Sequence, residues 1–273
     1  MMSTTSEEPE LAVSTKGLTR RFGTLTAVDH IELRIGYGEI FGLLGANGAG
    51  KSTIMKMLTT LLTPTAGHAV VSGYDITTAP TEVRRHIGYV SQMLSADGAL
   101  TGYENLRLSA KLYGLSRAER NTRIDEALEF MGLQSSAHQL VKTYSGGMVR
   151  RLELAQAMLH RPGVLFLDEP TIGLDPIARH AVWDRLRELR ADYHMTVLLT
   201  THDMEEADAL CDELAILHSG RIAVTGKPSE MRQAIGPHAT MDDVFIRYSG
   251  SGIGEGGDLA DIAQTRRTAR RLG

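Results

Sequence analysis

Gly45-Ala46-Asn47-Gly48-Ala49-Gly50-Lys51-Ser52 is the stretch on which the reading of this chain turns. Its spacing is that of a phosphate-binding P-loop, G-x-x-x-x-G-K-[ST]. It stands after a short apolar run, 40–44, read as a buried strand, and before apolar residues that predict a helix over 51–62. Glycine is needed because main-chain N–H groups must converge on phosphate oxygens with no side chain in the way, and the helix N-terminus favours the same anion. Lys51 would neutralise β- and γ-phosphates, Ser52 would offer its hydroxyl to Mg2+, and Gly45, Asn47, Gly48, Ala49, Gly50 and Thr53 complete the nucleotide-binding set.

Working outward, Ile31, Leu33 and Ile35 alternate with Glu32 and Arg34 at the period of a half-buried strand. Residues 68–74 and 87–90 read as further strands. Thr101-x-x-Glu104 and Ser116-x-x-Glu119 have capping-box spacing, so 101–131 is expected to be mostly helical, with Leu106, Ala110, Leu112 and Tyr113 facing inward. Met148, Leu152, Ala155 and Leu159 predict another helix after Ser145, ended by Pro162-Gly163. The apolar runs 164–167, 196–200 and 214–217 read as buried strands, with a helix over 176–189 among the segments between them. The pattern predicts an α/β core with a partly parallel sheet, an antiparallel β part near the N-terminal end and a helical insertion in the middle.

Composition limits the alternatives. Lys and Arg total 29 against 33 Asp and Glu, a net charge of −4, which excludes a protein that coats nucleic acid. The single cysteine, Cys211, excludes an internal disulfide framework and reads as a buried thiol. No window approaches the roughly 18 apolar residues of a spanning helix, and the start, MMSTTSEEPE, lacks the pattern of a secretion signal. Any role at a membrane is therefore expected to run through a partner. Gly-rich 250–257 reads as a linker, and 258–273 carries Arg266, Arg267, Arg270 and Arg271.

Two further motifs carry chemistry. Val164-Leu165-Phe166-Leu167-Asp168-Glu169 is an apolar strand ending in two carboxylates: Asp168 would hold Mg2+, directly or through water, and Glu169 would polarise a water attacking the γ-phosphorus. Tyr144-Ser145-Gly146-Gly147-Met148 opens a helix with a second glycine-bearing phosphate site. Such a site is redundant within one P-loop monomer and makes sense across a dimer, where Ser145 and the N–H groups of Gly146 and Gly147 could grip a phosphate held by another chain.

Taken together, residues from about 13 to 225 resemble the ATP-binding subunits of ABC transporters. The fold implied is a RecA-like P-loop NTPase core with an antiparallel β subdomain and a helical signature subdomain. The implied division is an ATP-binding domain over 1–226, its helical subdomain at about 93–161, a short helical segment over 227–249, and a linker and tail over 250–273. The resemblance places Phe22 where an aromatic stacks on adenine, and Gln92 where a glutamine reaches the metal and the attacking water beside the permease-coupling surface. Asp175 falls in the loop that crosses the dimer interface, and His202 is set as the histidine that contacts the γ-phosphate. It also implies catalytic roles for Glu169, His202, Gln92 and Lys51, with Ser52, Gln92 and Asp168 at Mg2+. The family more often shows Tyr where this chain has Phe22, and its signature commonly begins in Leu and ends in Gln where this chain has Tyr144 and Met148.

The implied activity is ATP hydrolysis with Mg2+, by a second ATP-binding subunit and this one closing head to tail, at the cytoplasmic face of the membrane and coupled to an integral-membrane permease. Nucleic acid is not an expected partner. Residues 91–106 and 240–250 look like those of ABC-2 type export ATPases, similar to the daunorubicin-resistance group. Three other readings use parts of the same motifs. An importer ATPase would often carry a longer regulatory domain after Thr225. A soluble ABC ATPase acting on ribosomes or DNA typically has two cassettes or a long coiled-coil insertion. A small-molecule kinase leaves Ser145 and His202 unexplained.

Overall fold

In the computed structural model, which describes residues 10–250, two sheets share a boundary. Strands β1 (Leu11–Phe22), β2 (Leu25–Gly36), β4 (Ala66–Val71) and β5 (Tyr74–Asp75) form an antiparallel sheet in the order β2-β1-β4-β5. The larger sheet has the order β10-β9-β3-β8-β7-β6, from β3 (Ile40–Gly45), β6 (Ile87–Val90), β7 (Val164–Asp168), β8 (Thr196–Thr201), β9 (Glu213–His218) and β10 (Arg221–Gly226). All its pairings are parallel except β9 with β10. The sheets meet where Asp29 N donates to Gly220 O at 2.8 Å and Arg221 pairs with Asp29.

The four central parallel strands are apolar on both faces, and the two-residue period of a strand sends alternate side chains into two separate cores. Phe41, Leu43, Val164, Phe166, Leu198, Ala215 and Leu217 pack with the antiparallel sheet and α1 (Lys51–Leu58). Ile40, Leu44, Leu165, Leu167, Val197, Leu199, Leu214 and Ile216 face the helices: α3 (Gly102–Leu112), α4 (Arg117–Phe130), α5 (Gly146–Met158), α6 (Pro176–Tyr193), α7 (Met204–Leu210) and, at the C-terminal side, α9 (Met241–Tyr248). Helices α2 (Pro80–His86) and α8 (Pro228–Ile235) both begin with proline, whose missing N–H is harmless in a first turn.

The capping boxes at Thr101/Glu104 and Ser116/Glu119 are present, and a third, Thr240/Asp243, opens α9. Three expectations change. The helix predicted over 51–62 ends at Leu58, because Thr59 Oγ1 turns onto Met55 O at 2.7 Å and Thr60 takes a left-handed φ of 63°. Leu112, expected inside, is 79 % exposed: it lies two residues, about 200° of helix, beyond buried Ala110. Tyr113 is also partly exposed and stacks on His160 instead of entering the core. The expected linker and arginine-bearing segment lie, from residue 251 on, outside the described residues. Among the described residues no helix is long and apolar enough to cross a membrane.

Gly42, in the middle of β3, faces the helical side, and a Cβ there would stand 2.6 Å from the sulfur of buried Cys211. Gly42→Ala is therefore expected to lower stability by about 1–3 kcal/mol, the usual cost of overpacking a filled core. Gly42→Ala with Cys211→Ala, which removes the sulfur, should recover most of the loss; thermal unfolding of the four combinations measures this.

Candidate functional site

The parallel register brings the site together. Leu44 pairs with Thr201 across β3 and β8, and Asp168 with Thr200 across β7 and β8, so the glycine loop, the Asp168-Glu169 pair and His202 leave the sheet at one carboxyl-terminal edge. Gly50 opens α1 at φ 110°, and a Cβ there would meet Ala27 O at 2.7 Å, so both conformation and space demand glycine.

Lys51 is 5 % exposed. Its ammonium donates to Gly45 O at 2.7 Å and Ala46 O at 3.2 Å, and lies 3.3 Å from Glu169 Oε1. The other oxygen of Glu169 meets His202 Nδ1 at 3.1 Å. Glu169 adopts a left-handed φ of 52°, a strained conformation for a side chain of this kind. It is held there because its N–H reaches both the carbonyl and the hydroxyl of Thr200, at 3.1 and 3.0 Å. That Thr200 hydroxyl donates to Asp168 Oδ1 at 2.6 Å, and Ser52 Oγ donates to the same oxygen at 3.1 Å. The Ser52 hydroxyl and the Asp168 carboxylate form a hard-oxygen pair, which suits a small divalent ion that keeps waters and borrows phosphate oxygens. Among the described residues no group of three or more His, Cys, Asp or Glu forms a separate metal cage.

Lys51, Ser52, Asp168, Glu169 and His202 are thus one hydrogen-bonded network. Gly45 joins it through the carbonyl that accepts from Lys51, whereas Phe22, Gln92, Ser145 and Asp175 stand outside it. Phe22 is 45 % exposed, with the Arg20 guanidinium 4.6 Å from its ring centre. The side chain of Gln92 is exposed, while its main-chain carbonyl accepts from Arg150 at 3.3 Å. Ser145 caps α5, accepting from Met148 N at 3.3 Å, and Asp175 caps α6, accepting from Ala178 N at 2.9 Å. A Cβ at Gly147 would stand 2.8 Å from Ala178 Cβ, so these two helix starts are in close contact. Tyr144 carries a hydrogen bond of its own, donating to Ser136 O at 2.7 Å.

Sequence reasoning missed Thr200, which ties Asp168 to the Glu169 backbone, since a threonine in a strand carries no distinguishing signal. It also missed Glu206. This carboxylate looks like a first-turn charge of α7, yet it is 1 % exposed and accepts from Thr171 Oγ1 at 2.6 Å and Trp183 Nε1 at 3.1 Å. Glu169, Thr171, His202, Asp203 and Glu206 line one cleft, so Glu206 anchors the loop that leads from Glu169 towards Asp175.

Comparison with known proteins agrees with this geometry. The profile of the ABC transporter family matches residues 28–172. The daunorubicin/doxorubicin resistance ATP-binding protein of Streptomyces peucetius is 44 % identical over 84 % of this chain and 69 % of that protein. The Nod factor export ATP-binding protein I of Ralstonia nicotianae is 43 % identical over 80 % of this chain and 68 % of its own length. Among solved structures, a dimeric ATP-binding cassette in a post-hydrolysis state, bound to ADP and Pi, superposes with a TM-score of 0.71 at 27 % identity, over 79 % of this chain and 98 % of that one.

Burial pushes the Glu206 carboxyl above the usual range, against the lowering effect of its hydrogen bonds. The folded chain therefore keeps this proton to higher pH than the unfolded chain, and stability falls as pH rises from the ordinary glutamate value through the raised one, then levels off. Glu206→Gln keeps an acceptor for Thr171 and Trp183 without the buried charge. The melting temperature of the variant relative to the parent is expected to rise by a few degrees between acid and neutral pH, as read by thermal unfolding across that range.

Proposed function

The chain belongs to the ABC transporter family as an ATP-hydrolysing subunit coupled to a membrane permease, and from that premise we propose that it powers export of a small molecule such as a drug or lipid. The observation that carries the chemistry is the single network joining Lys51 and Ser52 of the glycine loop to Asp168, Glu169 and His202. Lys51 is held by two loop carbonyls and Glu169. Nucleotide phosphates carry more charge than these partners, so Lys51 turns to them and releases Glu169 Oε1. Glu169, still oriented by His202, then takes the proton of the attacking water. Ser52 and Asp168 would hold Mg2+, with Gln92 as a further residue for it, and the ion would supply positive charge to the phosphate oxygens. Phe22, which is exposed, offers its ring to the adenine.

Ser145, Gly146, Gly147 and Asp175 lie outside that network in one chain, which favours a role at the nucleotide of a second ATP-binding subunit. Two subunits closing on ATP gain contacts that depend on the γ-phosphate, and hydrolysis removes them and reopens the pair. The dimeric cassette with ADP and Pi supports this arrangement. The direction of transport is supported by relatives named for drug resistance and for Nod factor export.

Glu169→Gln is expected to lower the hydrolysis rate at least about 100-fold while the Kd for ATP changes only a few-fold, the signature of a lost general base. Lys51→Ala should instead weaken ATP binding itself. Phosphate release and equilibrium binding of a fluorescent ATP analogue separate the two. A Glu169→Gln protein that hydrolyses ATP at near the parent rate would overturn the assignment.

A further inference from the structure

Arg150 and Glu153 lie three residues apart on α5 and are each only 2 % exposed, a buried ion pair with Nη1 3.0 Å from Glu153 Oε2. Neither belongs to the network around Glu169. Both instead face the loop that follows β6. Arg150 donates to Ser91 O at 2.9 Å and to Gln92 O at 3.3 Å. The second Glu153 oxygen accepts from Ser95 N and from Ser95 Oγ, the latter at 3.1 Å. A cation thus takes the carbonyls at the start of the loop and an anion takes the N–H at its end. Further along, buried Asn105 pins the next turn, accepting from Asp97 N at 2.9 Å and donating to Asp97 O at 3.0 Å. With the main chain turned inward onto these groups, Gln92, Met93 and Leu94 have their side chains turned out, Met93 81 % exposed and Leu94 58 %.

Burying two charges is costly, and a well-packed apolar pair of similar volume is often at least as stable. The pair is therefore poorly explained by stability, whereas its four contacts to one loop explain it as a positioning device. We propose that Arg150 and Glu153 are positioning residues that fix the Gln92 loop to α5, so that Gln92 and the Ser145 cap at the start of the same helix move as one body. A force applied at Met93 and Leu94 is then carried along the first two turns or so of α5 to Ser145. The proposal deepens the proposed function and rests on Gln92 taking part in hydrolysis.

The test is the replacement of the pair by apolar residues, Arg150→Met with Glu153→Leu, in the full chain, alone and combined with Gln92→Ala. Within one chain ATP is held by the glycine loop, which these residues do not touch, so the Kd of the single chain for ATP should stay within about twofold of the parent. The turnover number should fall at least tenfold. In the Gln92→Ala background, the same replacement should change turnover by less than twofold, because there is no glutamine left to misplace. Glu153→Gln alone, which keeps size and an acceptor, should give a smaller loss with the same dependence on Gln92, and it carries the test if the double replacement does not fold. Unchanged turnover in a folded variant would overturn the proposal, as would an equal loss in both backgrounds. An inactive parent, or a parent whose activity survives Glu169→Gln, would instead overturn the function on which the proposal rests.

Discussion

The register of three parallel strands is the constraint on which the site depends. Asp168 opposes Thr200 and Leu44 opposes Thr201, and from these pairings come the 2.6 Å and 3.1 Å contacts at Asp168 Oδ1. A slip of two residues between β7 and β8 would move Asp168 by about 7 Å along the sheet, far beyond any hydrogen bond. A slip of one would send Leu165 and Leu167 to the side now filled by Val164 and Phe166. Since both faces of these strands are buried, core packing opposes either slip, and with the Thr200 hydrogen bonds it holds the spacing of Asp168 and Glu169.

Charge is handled differently in the two buried pairs. Lys51 and Glu169 sit 3.3 Å apart at a cleft, and each has other partners: two loop carbonyls for Lys51, His202 for Glu169. In the proposed function a phosphate competes with these partners for Lys51. Arg150 and Glu153 are instead sealed against the main chain of one loop, where nothing competes. Burial lowers the Arg150 pKa, and the neighbouring Glu153, Asp168 and Glu206 oppose that effect, so the guanidinium stays within a field of three carboxylates. The proposed function thus asks one pair to exchange partners and the other to keep them.

How much of this was legible in the sequence follows from the range of each signal. The glycine loop, the strand ending in Asp168-Glu169 and the capping boxes are local patterns whose backbone chemistry is written in adjacent residues, and each appears where expected. Strand β1 escaped notice because its pairing shifts register around left-handed Gly17, which breaks the alternation a reader looks for. Leu112 misled because it is apolar at the last turn of α3, where the buried stripe has already rotated away. Arg150-Glu153 and Glu206 were hidden for a common reason. Charged residues on a helix read as solvated faces, and their burial depends on distant segments, residues 91–95 for one and Thr171 with Trp183 for the other.

The two departures in the signature have a physical account at its margins. Met148 contributes its backbone N–H to the Ser145 cap, a bond that any residue but proline can donate, so the cap does not depend on a glutamine at 148. Tyr144 is matched elsewhere in the chain: its hydroxyl donates to Ser136 O, and a Cβ at Gly102 would stand 2.3 Å from the Tyr144 hydroxyl oxygen. The tyrosine and the glycine at the start of α3 are therefore complementary, and a larger residue at 102 would displace the side chain that precedes the cap. On the other side, Gly147 lets α5 approach Ala178 in the first turn of α6, whose own cap is Asp175. Two helix N-termini thus converge on one surface, each with N–H groups beyond those its cap satisfies. Closure of a second subunit on that surface would bring them an anion, which is the interaction that the proposed ATP-bound dimer requires.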